Sequence, residues 1–128
     1  MAGNSITPRE RMTDLGTIRL HNDVVSSVAA IAAGEIKGVY KLGGGITKGI
    51  YDLLTARGSA KGVRIITQDN EVRLTVSIIV EYGVSVPRVA DEVQENIKRQ
   101  VEKMTGLVLH EVNVDVEGIH YNTSTTAS

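Results

Sequence analysis

The sequence predicts an α+β fold: a small two-layer sandwich, with a mixed sheet of four or five strands, two main helices on one face and a short extra helix. Three observations predict it. Apolar residues recur at helical spacing over 24–36 and again over 85–106. Between and after these stretches lie runs that alternate apolar and polar at every second position, the mark of half-buried strands. Two of those runs meet at Asp69–Asn70, residues that tolerate the left-handed backbone a two-residue hairpin turn requires. A length of 128 residues suits one domain. We assign it to residues 16–121, with a mobile N-terminal segment over 1–15 and a disordered tail over 122–128.

The elements follow in order. In GTIRLHND, Ile18 and Leu20 alternate with Thr17 and Arg19, which predicts a half-buried strand. Asn22 or Asp23 offers a side-chain oxygen to the bare N–H groups of a helix start. Val24, Val25, Val28, Ile31, Ala32 and Ile36 form that helix's stripe, and Gly38 is placed to end it. VYKL reads as a short strand before three consecutive glycines. TKGIYDLLTARG, with Thr47 as cap and Gly58 as stop, reads as a helix of about two turns that depends on tertiary packing. GVRIITQDNEVRLTVSIIVEY is a hairpin whose second strand puts Val72, Leu74, Val76, Ile78 and Val80 on one face. Ser85 caps the next helix, with Pro87 accepted in its first turn. Val86, Val89, Ala90, Val93, Ile97, Val101 and Met104 line its apolar stripe, and Gly106 closes it. A last strand sets Val112, Val114 and Val116 inward and Glu111, Asn113, Asp115 and Glu117 outward.

No motif in the chain completes a known catalytic or cofactor-binding pattern. The chain has no cysteine, which removes disulfides, thiolate metal sites and a cysteine nucleophile. Around the glycine triplet, Lys48 precedes Gly49 and Ile50 follows it, the wrong order for a phosphate-cradling Walker loop. The dinucleotide fingerprint also fails, because Lys48 stands where its last glycine belongs. GITKG and GSAKG each hold one residue too many for the G-x-x-G clamp of K-homology domains. His21, His110 and His120 share no metal-ligand spacing. No serine lies in a nucleophile elbow. The sequence thus predicts no enzyme, no cofactor and no metal.

Charge is the remaining signal. Residues 37–64 carry six basic groups and only Asp52 as an acid, while the rest of the chain holds eight basic and fourteen acidic groups. Lys41, Lys48, Arg57, Lys61 and Arg64 are therefore the candidate contacts for a partner or an anion. Backbone N–H groups near Thr47–Gly49 give the anion a second donor set. Glu92, Glu95, Glu111, Asp115 and Glu117 form the candidate acidic partner face. Two unlike patches favour a head-to-tail contact between copies. The basic segment also fits RNA, DNA or anionic lipid, although 3% aromatic residues, all tyrosine, leave few platforms for base stacking. No stretch reaches the roughly 18 apolar residues of a membrane span, and the start lacks an apolar signal core. A soluble, cytoplasmic protein is the expectation.

Several separated segments also resemble one family, in the right order. VQENIK at 93–98, MTG at 104–106 and VNVDV at 112–116 are similar to the alkaline-shock, or general-stress (Gls-type), envelope stress response proteins of Gram-positive bacteria. GTIRLHNDVVSSVAAIAAGEIKGVYKL and VRLTVSIIVEYGVSVP extend the resemblance over about residues 14–121, with the glycine-rich part matching more loosely. The resemblance implies a non-enzymatic cytoplasmic protein of envelope homeostasis, with no catalytic residues to carry over. It further implies self-association and a separate membrane-anchoring partner in some members, and control of lipid synthesis in others.

Overall fold

The computed structural model describes residues 10–43 and 62–121. In chain order these form β1 (Glu10–Thr13), β2 (Gly16–Arg19), α1 (Asn22–Gly34), β3 (Val39–Leu42), β4 (Val63–Gln68), β5 (Glu71–Glu81), α2 (Val86–Thr105) and β6 (Leu109–His120). β3, β4, β5 and β6 make a four-stranded mixed sheet, and β1 and β2 make a separate hairpin. The expected sandwich of a mixed sheet and two main helices is the fold. The short extra helix expected over 47–57 lies outside the described residues.

The long alternation of β5 makes it the centre of the sheet. Val72, Leu74, Val76, Ile78 and Val80 are buried without remainder or nearly so, while the residues between them stay half-exposed. Each such burial is worth about 1.5–3 kcal/mol, and a one-residue slip would turn all five to water. The turn into β5 is as the sequence requires, with Asp69 at φ 54° and Asn70 at φ 66°. β4 returns antiparallel from Gln68↔Glu71 to Val63↔Val76. From β5, the chain crosses through α2 and comes back as β6, parallel to β5, because a parallel neighbour needs a long crossover.

β3 and β4 lie end to end along the same edge of β5. β3 pairs with Ile78–Val80 and β4 with Glu71–Val76. Between them, Ser77 is shared by two glycines: Gly43 N–H donates to the Ser77 carbonyl at 2.7 Å, and Ser77 N–H donates to the Gly62 carbonyl at 2.9 Å. One antiparallel residue pair is thus split between Gly43 and Gly62, which flank residues 44–61 in sequence. Gly62, at φ +86°, would bring a Cβ to 3.0 Å from Leu42, so a side chain there would crowd the joint.

Both helices cover the face of the sheet that holds the β5 valines, and the core lies between them and it. α1 buries Val25, Ser26, Val28, Ala29, Ala32 and Ala33. That face is rotated from the expected one, leaving Val24 at 44% and Ile31 at 64% exposure. α2 buries Val89, Val93, Asn96, Ile97 and Val101, whereas Met104 of the predicted stripe is exposed. Ser85 Oγ accepts from the Arg88 N–H at 3.5 Å, and Gly106 takes the left-handed conformation at φ 80°, so both predicted caps of α2 hold.

α1 departs from its predicted ends. It starts one residue after His21, with no side-chain cap from Asn22 or Asp23. It stops at Gly34, short of Gly38, because its last turn is closed from outside. Asn96 Nδ2 donates to the Ala32 carbonyl at 2.8 Å and to Glu35 Oε1 at 3.2 Å, and Arg99 donates to Asn96 Oδ1. The last carbonyls of a helix lack intrahelical donors; here a side chain of the neighbouring helix supplies one. Gly38 instead serves the turn into β3. At φ +109° its Cβ would come within 2.6 Å of Val89 Cγ2.

Two other expectations are corrected. Glu10–Thr13, within the stretch expected to be mobile, is a strand paired with β2, held by Arg19 Nε to Glu10 Oε2 at 2.9 Å. β2 itself is exposed throughout rather than half-buried, and only Leu20 beyond it packs on the core. On β6, Val112 is buried and Val114 partly so, but Val116 is 37% exposed because it stands on the sheet's rim.

Candidate functional site

With the helices on one face, the opposite face of the sheet is open among the described residues, and its make-up follows from register. Alternate β5 residues Glu71, Arg73, Thr75, Ser77 and Ile79 point to it. Their direct partners share that side: Arg64 opposite Thr75, Ile66 opposite Arg73 and Lys41 opposite Ile79 on one edge. On the other edge stand Glu111 beside Arg73, Asn113 beside Thr75 and Asp115 beside Ser77. The β3/β4 rim is therefore basic and the β6 rim acidic, two strand spacings or about 9.6 Å apart.

Arg73 sits between these rims and mediates them. Its Nη2 lies 2.6 Å from Glu71 Oε1 and its Nε 3.4 Å from Glu111 Oε2. These side chains are a third to a half exposed, so each pair is worth at most about 1 kcal/mol. Glu117, in the irregular stretch of β6 between Val116 and Gly118, leans back over the sheet: a Cβ on Gly43 would lie 2.6 Å from its Oε1. One acidic group thus reaches the foot of the glycine-rich segment.

At the end of the open face nearest Glu81, aromatic rings close across β5. Tyr40 stacks on His120 with centroids 3.7 Å apart and planes 6° from parallel, and Lys41 Nζ lies 5.9 Å from the Tyr40 centroid. Tyr82 meets Tyr121 edge to face at 4.9 Å. These pairs escaped the sequence reading, because a tyrosine outside an apolar stripe signals nothing about which strand lies across from it.

The predicted site residues divide accordingly. Lys41 and Arg64 share the basic rim, about 13 Å apart along β5 by strand rise. Lys48, Arg57 and Lys61 lie outside the described residues. Glu111 and Asp115 share the acidic rim. Glu92 does not join them; it stands on the outer side of α2, bonded to Arg88 at 3.0 Å. Glu95 is closer, since a groove of about 500 Å³ between α2 and β6 is lined by Glu95, Lys98, His110 and Glu111 among others. The expected acidic face is therefore divided: Glu95 and Glu111 share the groove between α2 and β6, Asp115 lies further along β6, and Glu92 stands apart on α2.

The same groove shows how the β6 edge is guarded. Gln94 Nε2 donates to the Val112 carbonyl at 2.8 Å, and Lys98 Nζ donates to the Leu109 carbonyl at 3.2 Å. Glu102 Oε2 accepts from the Leu109 N–H at 2.9 Å and from Lys98 at 2.6 Å. Those bonds stabilise the carboxylate and hold Glu102 below its ordinary pKa, against the opposing effect of partial burial. Side chains of α2 occupy backbone groups that an incoming strand would otherwise use.

Among the described residues no cluster of three metal-ligating side chains forms, and no helix is long and apolar enough to cross a membrane. His110 Nδ1 accepts from the Val72 N–H at 3.4 Å.

Several known proteins are similar to this chain. YqhY of Bacillus subtilis is 34% identical over 111 residues, 87% of this chain and 82% of its own length. YloU of the same organism is 30% identical over 112 residues, 86% and 93%. A Streptococcus pyogenes protein named as a stress response regulator gls24 homolog is 27% identical over 105 residues, spanning 81% of this chain and 59% of that one. Solved C-terminal domains of MamM match 77% of this chain and 98% of their own length at 17% identity, with a TM-score of 0.47. The family model described as "Asp23 family, cell envelope-related function" matches residues 10–121, and the chain belongs to that family.

Proposed function

We propose that this protein acts in the envelope stress response by contact rather than by turnover. In this reading, copies associate head to tail through the open face of the sheet. The observation that carries it is the polar division of that face, with Lys41 and Arg64 on one rim and Glu111 and Asp115 on the other. Opposite rims on one body suit repeated contact, since the acidic rim of one copy meets the basic rim of the next and leaves a further pair free. The sequence holds three further basic groups, Lys48, Arg57 and Lys61, outside the described residues. Family membership supports the envelope setting, and the gls24-named relatives support the link to stress. A separate anchoring partner would bring such an assembly to the membrane from the cytoplasm.

Contacts between exposed charges are screened over about 8 Å at physiological ionic strength. Sedimentation velocity across a salt series should therefore show assemblies at low salt that dissociate as salt rises. Replacing Lys41 and Arg64 together by Glu should remove them. A chain that is monomeric at every salt and at high concentration ends this reading. Binding of an oligonucleotide pool, or of acidic vesicles, lost in the same double variant, would replace it with a nucleic-acid or lipid partner.

A further inference from the structure

The guard that α2 sets over the β6 edge covers only its beginning. Gln94 reaches Val112, Lys98 and Glu102 reach Leu109, and none of these side chains goes further along the strand. One turn before Gln94 the helix carries Asp91, which is exposed and bonds to nothing on β6. The ladder decides which backbone groups this leaves open. Ser77 gives its N–H and carbonyl to Gly62 and Gly43, on the β3/β4 side, so those of Val76 and Ile78 turn to β6. In a parallel pair they bond the residues on either side of their direct partners, here Asn113, Asp115 and Glu117. Val114 and Val116 therefore turn their N–H and carbonyl groups outward. Past the irregularity at Glu117, the His120 carbonyl accepts from the Tyr82 N–H at 2.9 Å, which leaves Ile119 facing out as well. Among the described residues, none of these outward groups has a partner.

The side chains beside this edge differ by face. On the open side of the sheet stand Asn113 and Asp115, with Glu111 before them. Of the basic groups near that end, Arg73 is shared between Glu71 and Glu111, and Lys98 is held by Glu102. The balance along the edge is therefore acidic. The helix side is aliphatic: Val116 is 37% and Ile119 58% exposed, although Ile78 and Val80, their direct partners on β5, are fully buried. A further strand laid along β6 would cover both.

We infer that β6 accepts an extended peptide as a further strand of the sheet, one that alternates basic with aliphatic residues. Main-chain bonds to Val114, Val116 and Ile119 supply affinity, and the two rows of side chains select the sequence. Basic residues lie beside Asp115 on the open side, and aliphatic ones lie on Val116 and Ile119. A second copy of β6 does not fit this description. Antiparallel pairing across Val114 and Val116 sets Asp115 against its own counterpart, and like charges opposite one another across strands repel. The site borders the acidic rim of the proposed function but does not require copies of the chain to meet.

The probe is an end-blocked, fluorescently labelled peptide of about eight residues alternating lysine and valine, long enough to span Asn113–His120. Its anisotropy should rise on titration with the full chain. Of two further peptides, N-methylated on every lysine or on every valine, only one should bind, because a strand pairs through alternate residues. Hydrogen exchange read by NMR should find the Val114, Val116 and Ile119 amides fast in the free chain and about tenfold or more slower with peptide, with Asn113 and Asp115 slow in both. Val116→Pro removes an outward N–H and no ladder bond, so it should keep the parent's circular dichroism and cooperative melt and lose the peptide. Asp115→Lys should weaken the lysine–valine peptide about fivefold and admit a glutamate–valine peptide that the parent refuses. Protected Val114 and Val116 amides in the free chain, equal binding of both methylated peptides, or binding unchanged by Asp115→Lys would overturn the proposal. The two readings fail separately. A chain monomeric at every salt ends head-to-tail contact and leaves strand addition standing, whereas a lysine–valine peptide that does not bind ends strand addition alone.

Discussion

Asn96 shows how much a single polar side chain can carry. It is 5% exposed, and each of its polar atoms has a partner. Its amide closes α1, and its carbonyl holds Arg99 at the rim. The apolar stripe read from the sequence leaves it out, because hydrophobic periodicity has no place for an amide. In the three-dimensional structure it is the staple between two helices, and it stands inside the VQENIK run that carries the family resemblance. Replacing it with Ala leaves the Ala32 carbonyl buried without a donor, a loss of about 1–3 kcal/mol. Asn96→Ala should therefore lower the urea midpoint with no change in slope, and Asn96→Asp, which cannot donate to Ala32, should be no better.

Among the elements, β6 and α2 are joined by side chains that bond to strand backbone, and Glu102 is the most engaged of them. Its pKa is lowered in the folded chain by the bonds from Lys98 and the Leu109 N–H. A carboxylate with a depressed folded pKa adds stability that is present above its unfolded pKa, about 4.3, and lost as pH falls through the folded value. Glu102→Gln should thus cost about 0.5–1 kcal/mol at neutral pH. The difference from the parent should shrink steadily in denaturant melts taken from pH 5 downward. A gap that stays constant to pH 3 would show that the charge is not what holds the strand edge.

For the whole molecule, the split pair at Ser77 separates what folds the chain from what extends it. Leu42 faces Ile78 and Val63 faces Val76, and Gly43 and Gly62 divide the remaining partner between them. Deleting residues 43–61 leaves Gly62 alone opposite Ser77 and makes β3 and β4 one unbroken strand. The shortened chain should fold, with circular dichroism and a cooperative melt like the parent's. Loop-closure entropy grows only slowly with length, so the stability change should be within about 1 kcal/mol. Since the deletion removes Lys48, Arg57 and Lys61, association at low salt should weaken. Failure to fold would mean that the glycine-rich segment is part of the body.

Legibility followed how local each signal is. The β4–β5 turn, the β5 alternation, the Ser85 and Gly106 caps of α2 and the mixed α+β architecture were all written in short windows, because backbone conformation and period depend on residues near in sequence. The end of α1, the exposure of Ile31 and Met104, and the position of the hairpin were not, because each depends on what a distant segment does or fails to cover. The candidate site divides in the same way. Charge segregation was legible as composition, but which charges share a face was set by strand register and by how α2 packs beside β6. By itself, the sequence determined the elements and their chemistry, since these arise from neighbours along the chain. Only the tertiary structure decided which apolar side chains remain in water and which rims bear which charge, because those depend on surfaces brought together across it.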